Sequence, residues 1–170
     1  MSSSVYRQLQ RLLLLSTLLI LGAVYYLQYV GGLKPCPLCI VQRVCVILFG
    51  ISCIVGWCFS ARYRKRVVAF FQILFSFSGL FFATRQLWIQ SLPAEQVPAC
   101  LPGLDILMKY YPLRDILSTL FWGTGDCAEV SWQLFGLSMP AWAALYFLAI
   151  LLVSGWVFFF LRPSLVRRDS

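Results

Sequence analysis

Residues Leu12 to Val30 read LLLLSTLLILGAVYYLQYV, nineteen residues without a charge. About 20 apolar helical residues cross a hydrocarbon core roughly 30 Å thick, so this one stretch sets the class of fold. Three more uncharged runs follow, Val44 to Ser60, Val67 to Thr84 and Ala141 to Leu161. Arg7 and Arg11 precede the first run as they would in a signal peptide, but the run exceeds the usual apolar length of about 7–15 residues and no small-x-small cleavage site follows it. It reads as a retained helix. The second run is short, so its helix is expected to begin near Cys39 and to take in Ile40, Val41, Gln42 and Arg43 at the membrane boundary. The expected fold is an all-α membrane protein, one domain over residues 1–170. Its four-helix bundle has helices at about 12–30, 40–60, 67–88 and 141–161, with external loops at about 31–39 and 89–140.

Composition agrees. The chain is 61% hydrophobic and 12% charged, against roughly 45–50% apolar and about 25% charged in a soluble domain. Its 14 Phe, 8 Tyr and 6 Trp exclude disorder. The net charge of +8 does not call for a nucleic acid, because the basic residues lie between apolar runs. They orient the chain instead. Arg7, Arg11, Arg62, Arg64, Lys65, Arg66, Arg162, Arg167 and Arg168 fall on one side. On the other side, Lys34, Arg43, Arg85, Lys109 and Arg114 are balanced by Glu95, Asp105, Asp115, Asp126 and Glu129. Both termini are therefore expected in the cytoplasm, and Cys36, Cys39, Cys100 and Cys127 outside it. The second external loop carries Pro93, Pro98, Pro102 and Pro112 and reads as mostly irregular. The exception is Asp115 to Trp122, where Ile116, Leu117, Leu120 and Phe121 recur at the spacing of a short membrane-surface helix or of one packed on the bundle.

With no His in the chain, imidazole metal sites and His-assisted nucleophiles are excluded, and unusual chemistry falls to the seven Cys. Cys36-Pro37-Leu38-Cys39 is a C-x-x-C pair, a pattern that is redox-active, zinc-binding or a static crosslink. Zinc would need Cys100 and Cys127 as well, and these lack the close spacing of a structural site. A disulfide over a two-residue spacer is easily reduced, so local chemistry favours redox activity. Arg43 lies one helical turn beyond Cys39, where its guanidinium can support a thiolate; snorkelling to the interface is the other reading. Cys100 and Cys127 form a second candidate pair, which as a static staple closing about 28 residues would contribute roughly 3–4 kcal/mol. Beside a redox-type pair they can also pass electrons by thiol–disulfide exchange. Cys45, Cys53 and Cys58 read as small packing residues.

The segment Lys34-Pro35-Cys36-Pro37-Leu38-Cys39-Ile40-Val41-Gln42-Arg43 resembles the disulfide bond formation protein B family, DsbB, of bacterial inner membranes. So do Gly125-Asp126-Cys127-Ala128-Glu129, Trp132, Phe135-Gly136-Leu137 and Met139-Pro140-Ala141-Trp142. The resemblance implies a four-helix inner-membrane oxidoreductase that reoxidises a periplasmic DsbA-type thiol oxidase and passes the electrons to a membrane quinone, ubiquinone or menaquinone. It implies that the partner's thiolate attacks Cys100, paired with Cys127. Cys127 then exchanges with the Cys36–Cys39 disulfide at Cys36, and Cys39 is left as the thiolate facing the quinone beside Arg43. Leu87 and Met139 occupy positions resembling the quinone-pocket lining. Two departures stand out. Some relatives carry a His near the end of the third helix, where this chain reads Trp88-Ile89-Gln90-Ser91, and Gln42 stands where a relative has an acidic residue. Two further readings compete: a quinone-epoxide reductase of the vitamin K type, and a four-helix structural protein with static disulfides.

Overall fold

A computed structural model of the chain describes residues 3–32, 35–58, 61–96, 121–130 and 132–161, together with 112, 114 and 119. Four helices carry it: α1 (Ser3–Tyr29), α2 (Pro37–Cys58), α3 (Arg62–Gln90) and α4 (Met139–Phe160). Each is long and apolar enough to cross a membrane. The helices outrun their apolar cores. α1 takes in Arg7 and Arg11, and α3 begins at Arg62, about five residues before the uncharged run. Long cationic side chains are good helix formers whose charges reach water from the helix ends, so hydropathy marks the hydrocarbon and not the helix termini.

α3 is the spine, packed against both α2 and α4, while α1 lies against α2. Its inward stripe is Gln72, Ser76, Gly79, Ala83 and Gln86, all buried, spaced alternately four and three residues apart as a helix–helix seam requires. Small residues let backbones approach, which is how membrane helices associate without a hydrophobic driving force between them. Gly79 shows how tightly: a Cβ there would lie 2.1 Å from the Phe147 ring of α4. The core around it holds Leu13, Cys45, Val46, Phe49, Cys53, Ala83, Phe147 and Ile150. Leu12, Leu15, Leu19, Leu145, Leu152 and Phe159 point outward, as lipid-facing side chains do.

Two pairs of buried or half-buried polar groups meet across helices deep in the bundle. Gln72 Nε2 donates to Gln10 Oε1 at 2.8 Å, and Thr17 Oγ1 meets Tyr146 Oη at 3.0 Å. Thr17 also donates to the Leu13 carbonyl at 2.7 Å; with its one proton used there, Tyr146 is the donor between the two. Unsatisfied groups cost several kcal/mol in hydrocarbon, so these pairs fix which helix faces meet.

Beyond α3 come short 3₁₀ turns, Ala94–Gln96 and Gly125–Cys127, and a hairpin of β1 (Gln133–Leu134) and β2 (Leu137–Ser138). The strands are antiparallel, with Gln133 opposite Ser138 and Leu134 opposite Leu137. Phe135 and Gly136 both have positive φ, 52° and 77°, the two-residue type I′ geometry that suits strand twist. A Phe in that position gives no turn signal, which is why the segment reads as irregular from sequence. The hairpin leads directly into α4, whose first turn holds Pro140 where a missing N–H costs nothing. Of the expected surface helix, residues 119, 121 and 122 are helical and most of Asp115 to Trp122 lies outside the described residues, as does Cys100.

Candidate active site

The site is built on the N-terminus of α2. The Cys36 carbonyl accepts the Ile40 N–H at 3.2 Å, which makes Cys36 the N-cap and Pro37 the first helical residue. The helix thus begins two residues before Cys39, and the pair straddles its start. The first N–H groups of a helix have no partner within it, and at α2 they find sulfur. The Cys39 N–H donates to Cys36 Sγ at 3.4 Å, and the Leu38 N–H supports Cys127. The Leu38 donor, with the positive end of the helix dipole, favours a thiolate at Cys127.

Cys127 arrives from the far side of the chain. It closes the turn Gly125–Cys127, its N–H bonded to the Thr124 carbonyl at 2.9 Å, and is fully buried. The turn seats because Gly123 has φ +79° and no side chain: a Cβ there would press to 2.9 Å on both Leu38 and Ile89. Cys36, Leu38, Phe82, Ile89 and Cys127 form one buried cluster, which keeps the Cys127 sulfur from water.

Within it the three sulfurs converge. Cys36 Sγ is 2.9 Å from Cys39 Sγ, and the Cys36 S–H also hydrogen-bonds to Cys127. Cys36 is therefore the central sulfur, and all three are free thiols in this structure. Donating to both neighbours pushes the Cys36 thiol far up, with burial acting in the same direction. The same bond, from the other side, draws the Cys127 thiol down to about 6, helped by backbone N–H groups of Thr124 and Leu38. One proton held by the middle sulfur favours a thiolate beside it.

The pair lies in the wall of a cavity of about 640 Å³, bounded by all four helices and the loop that carries Cys127. Leu27, Val46, Trp132 and Phe147 make much of it apolar, while Cys39, Gln42, Arg43 and Gln86 give it a polar end. Met139 lines this cavity; Leu87, half-buried on α3, does not. Arg43 lines it too, but its guanidinium turns to α1, where it bonds Gln28 Oε1 and lies over the Tyr25 ring at 5.1 Å. Its Nε is buried without a partner. The donor that reaches the sulfurs is Gln86 Nε2, 3.3 Å from each of Cys36 and Cys39. Sequence reasoning did not single out Gln86; its place on the small and polar stripe of α3 is the signal that marks it as inward-facing.

The family model for disulfide bond formation protein DsbB matches residues 6–157. The chain belongs to the DsbB family. Disulfide bond formation protein B of Stutzerimonas stutzeri is 42% identical over 156 residues, 91% of this chain and 91% of that protein. Disulfide bond formation protein B 1 of Pseudomonas aeruginosa is 42% identical over 146 residues, covering 85% and 90%. Disulfide bond formation protein B of Acinetobacter baylyi is 37% identical over 167 residues, covering 97% and 98%. Membership in DsbB identifies an oxidoreductase of disulfide formation with four membrane-spanning helices. The vitamin K type alternative falls away with it. In this DsbB chain the convergent cysteines come from two of the segments that carry the family's resemblance, the C-x-x-C and the Gly-Asp-Cys-Ala-Glu.

Proposed function

We propose that this protein reoxidises a periplasmic DsbA-type thiol oxidase and passes the two electrons to a membrane quinone through Cys100, Cys127, Cys36 and Cys39 in that order. The observation that carries the proposal is the position of Cys36 between Cys39 and Cys127. A relay needs one sulfur that can bond to either of two others, and Cys36 is that sulfur. The external side is the periplasm, since nine of the basic residues mark the other side as cytoplasmic.

The steps balance as thiol–disulfide exchanges. A thiolate of the partner attacks Cys100, the Cys100–Cys127 bond breaks, and Cys127 leaves as a thiolate. Cys127 attacks Cys36, forming a Cys36–Cys127 bond as the Cys36–Cys39 bond breaks, and Cys39 leaves as a thiolate. The partner's second thiol resolves its bond to Cys100 and is released as a disulfide; the freed Cys100 thiolate then attacks Cys127, restoring the Cys100–Cys127 bond as the Cys36–Cys127 bond breaks and leaving Cys36 and Cys39 both reduced. Cys127 makes a competent nucleophile because its surroundings favour the thiolate. Gln86 and the start of α2 receive the charge that develops on Cys39.

The cavity fits a quinone head group: its apolar walls match the ring, and the unpartnered Arg43 Nε is a buried donor for a carbonyl oxygen. A bound quinone supplies the two-electron acceptor that thiols lack. Arg43, held by Gln28 and Tyr25, orients that acceptor and offsets negative charge, while Met139 and Trp142 close the apolar side.

Single-cysteine variants test the order. Cys39→Ser is expected to abolish quinone reduction. Cys100→Ser is expected to block oxidation of the protein partner by at least a hundredfold while leaving the Cys36–Cys39 pair oxidisable by quinone. Full-rate oxidation of the partner by the Cys100 variant contradicts the order.

A further inference from the structure

The two sulfurs of the C-x-x-C pair share one amide. Gln86 Nε2 lies 3.3 Å from Cys36 Sγ and 3.3 Å from Cys39 Sγ, and an amide nitrogen has two hydrogens to give. Its oxygen accepts from Gln42 Nε2 at 2.8 Å. Both side chains are buried, Gln86 at 4% and Gln42 at 6% exposure. Gln42 sits on α2 and Gln86 on α3, so the contact spans the helix interface beside the cavity.

Orientation matters because the amide has two unlike ends. With nitrogen toward sulfur it stabilises a thiolate; with oxygen toward sulfur it repels one. Gln86 Oε1 is itself 3.6 Å from Cys39 Sγ, so the choice is between atoms at nearly the same place. The hydrogen bond from Gln42 selects the nitrogen. Besides the Cys39 backbone N–H on Cys36 Sγ, no other side-chain cation or amide donor among the described residues reaches these sulfurs, since Arg43 is bonded to Gln28.

We propose that Gln86 is a catalytic residue of the Cys36–Cys39 couple, donating to the sulfurs in the reduced state, and that Gln42 is the positioning residue that aims it. This rests on the redox reading of the pair. A disulfide sulfur is a poor acceptor and a thiolate a strong one, so the donor stabilises the reduced form over the oxidised one and makes the disulfide more oxidising. A hydrogen bond to a charged group is strong enough for at least a roughly tenfold effect.

The test is an exchange equilibrium of the full-length protein in detergent with dithiothreitol, without quinone or protein partner. The oxidised and reduced Cys36–Cys39 peptide is counted by alkylation and mass spectrometry. In Gln86→Leu the equilibrium constant for oxidation of dithiothreitol is expected to fall at least tenfold, about 30 mV. Gln86→Glu keeps the size and removes the donor, and is expected to fall at least as far. Gln42→Met leaves Gln86 in place but unaimed and is expected to fall about threefold or more. Constants within twofold of the unaltered protein in both Gln86 variants overturn the proposal. If neither Gln86 variant folds, an unchanged constant in Gln42→Met overturns it. Quinone reduction is measured separately on the unaltered protein: its failure counts against the relay, whereas an unmoved equilibrium beside normal quinone reduction counts against Gln86 alone.

Discussion

At the scale of single residues, the proton between the sulfurs decides what each cysteine can do. Cys36 keeps its proton because it donates to both neighbours, and Cys127 is drawn down to about 6 because it receives that donation. The sign follows. A depressed thiol is a thiolate above about pH 6, so its contribution to folding stability is complete above the ordinary value near 9 and is lost as pH falls through about 6. In the fully reduced protein, thiolate absorbance at 240 nm is expected to show a component with a midpoint near pH 6. That component disappears in Cys127→Ser and moves upward in Cys36→Ala, which removes the donor. A spectrum with no transition below about pH 8 contradicts the arrangement. The chemistry of this trio is legible in part: the spacing of Cys36 and Cys39 favours a redox pair, but no spacing brings Cys127 into the same cluster, and only the family resemblance implies its exchange with Cys36. That contact depends on Gly123, whose bare backbone lets the loop settle on Leu38 and Ile89.

At the scale of elements, α3 decides the geometry by bringing Gln86 to the N-terminus of α2. Its inward stripe of Gln72, Ser76, Gly79, Ala83 and Gln86 is set by close packing, and Gly79 against Phe147 is its tightest point. Gly79→Leu is expected to destabilise the bundle by about 1–3 kcal/mol through overpacking, read as a lower thermal midpoint in detergent. Adding Phe147→Ala is expected to restore part of the loss, because the two positions share one space. An unchanged midpoint in the single variant contradicts this account of the seam. The four helices were plain in the sequence because hydrocarbon thickness demands a run of fixed length. Their ends were not, because Arg7, Arg11 and Arg62 continue the helices beyond the apolar runs. The hairpin before α4 was not legible either: its turn is Phe135-Gly136, and the usual Asn or Asp is missing. Gln86 could have been singled out from the alternating spacing of four and three residues in α3, had polar residues in an apolar run been read as an inward face.

At the scale of the whole molecule, function follows from where the bundle places its two kinds of contact. α3, with 29 residues, is about 43 Å long at 1.5 Å per residue, longer than the hydrocarbon core it crosses. Arg64, Lys65 and Arg66 lie among its first five residues, and its last turns reach the Cys36 and Cys39 sulfurs. The cavity opens beside those sulfurs among α1, α2, α3 and α4, and Cys127 approaches from the loop side. On the proposed relay, electrons from the partner's thiols enter these three sulfurs by way of Cys100 and Cys127 and leave them from Cys39 to a quinone, which is the central claim. It is tested most directly by mixing the purified protein in detergent with a reduced DsbA-type dithiol protein and a quinone, and following the absorbance of the oxidised quinone. The account predicts rapid loss of absorbance that requires both the protein and the dithiol and stops in Cys39→Ser. No loss with either ubiquinone or menaquinone would contradict it.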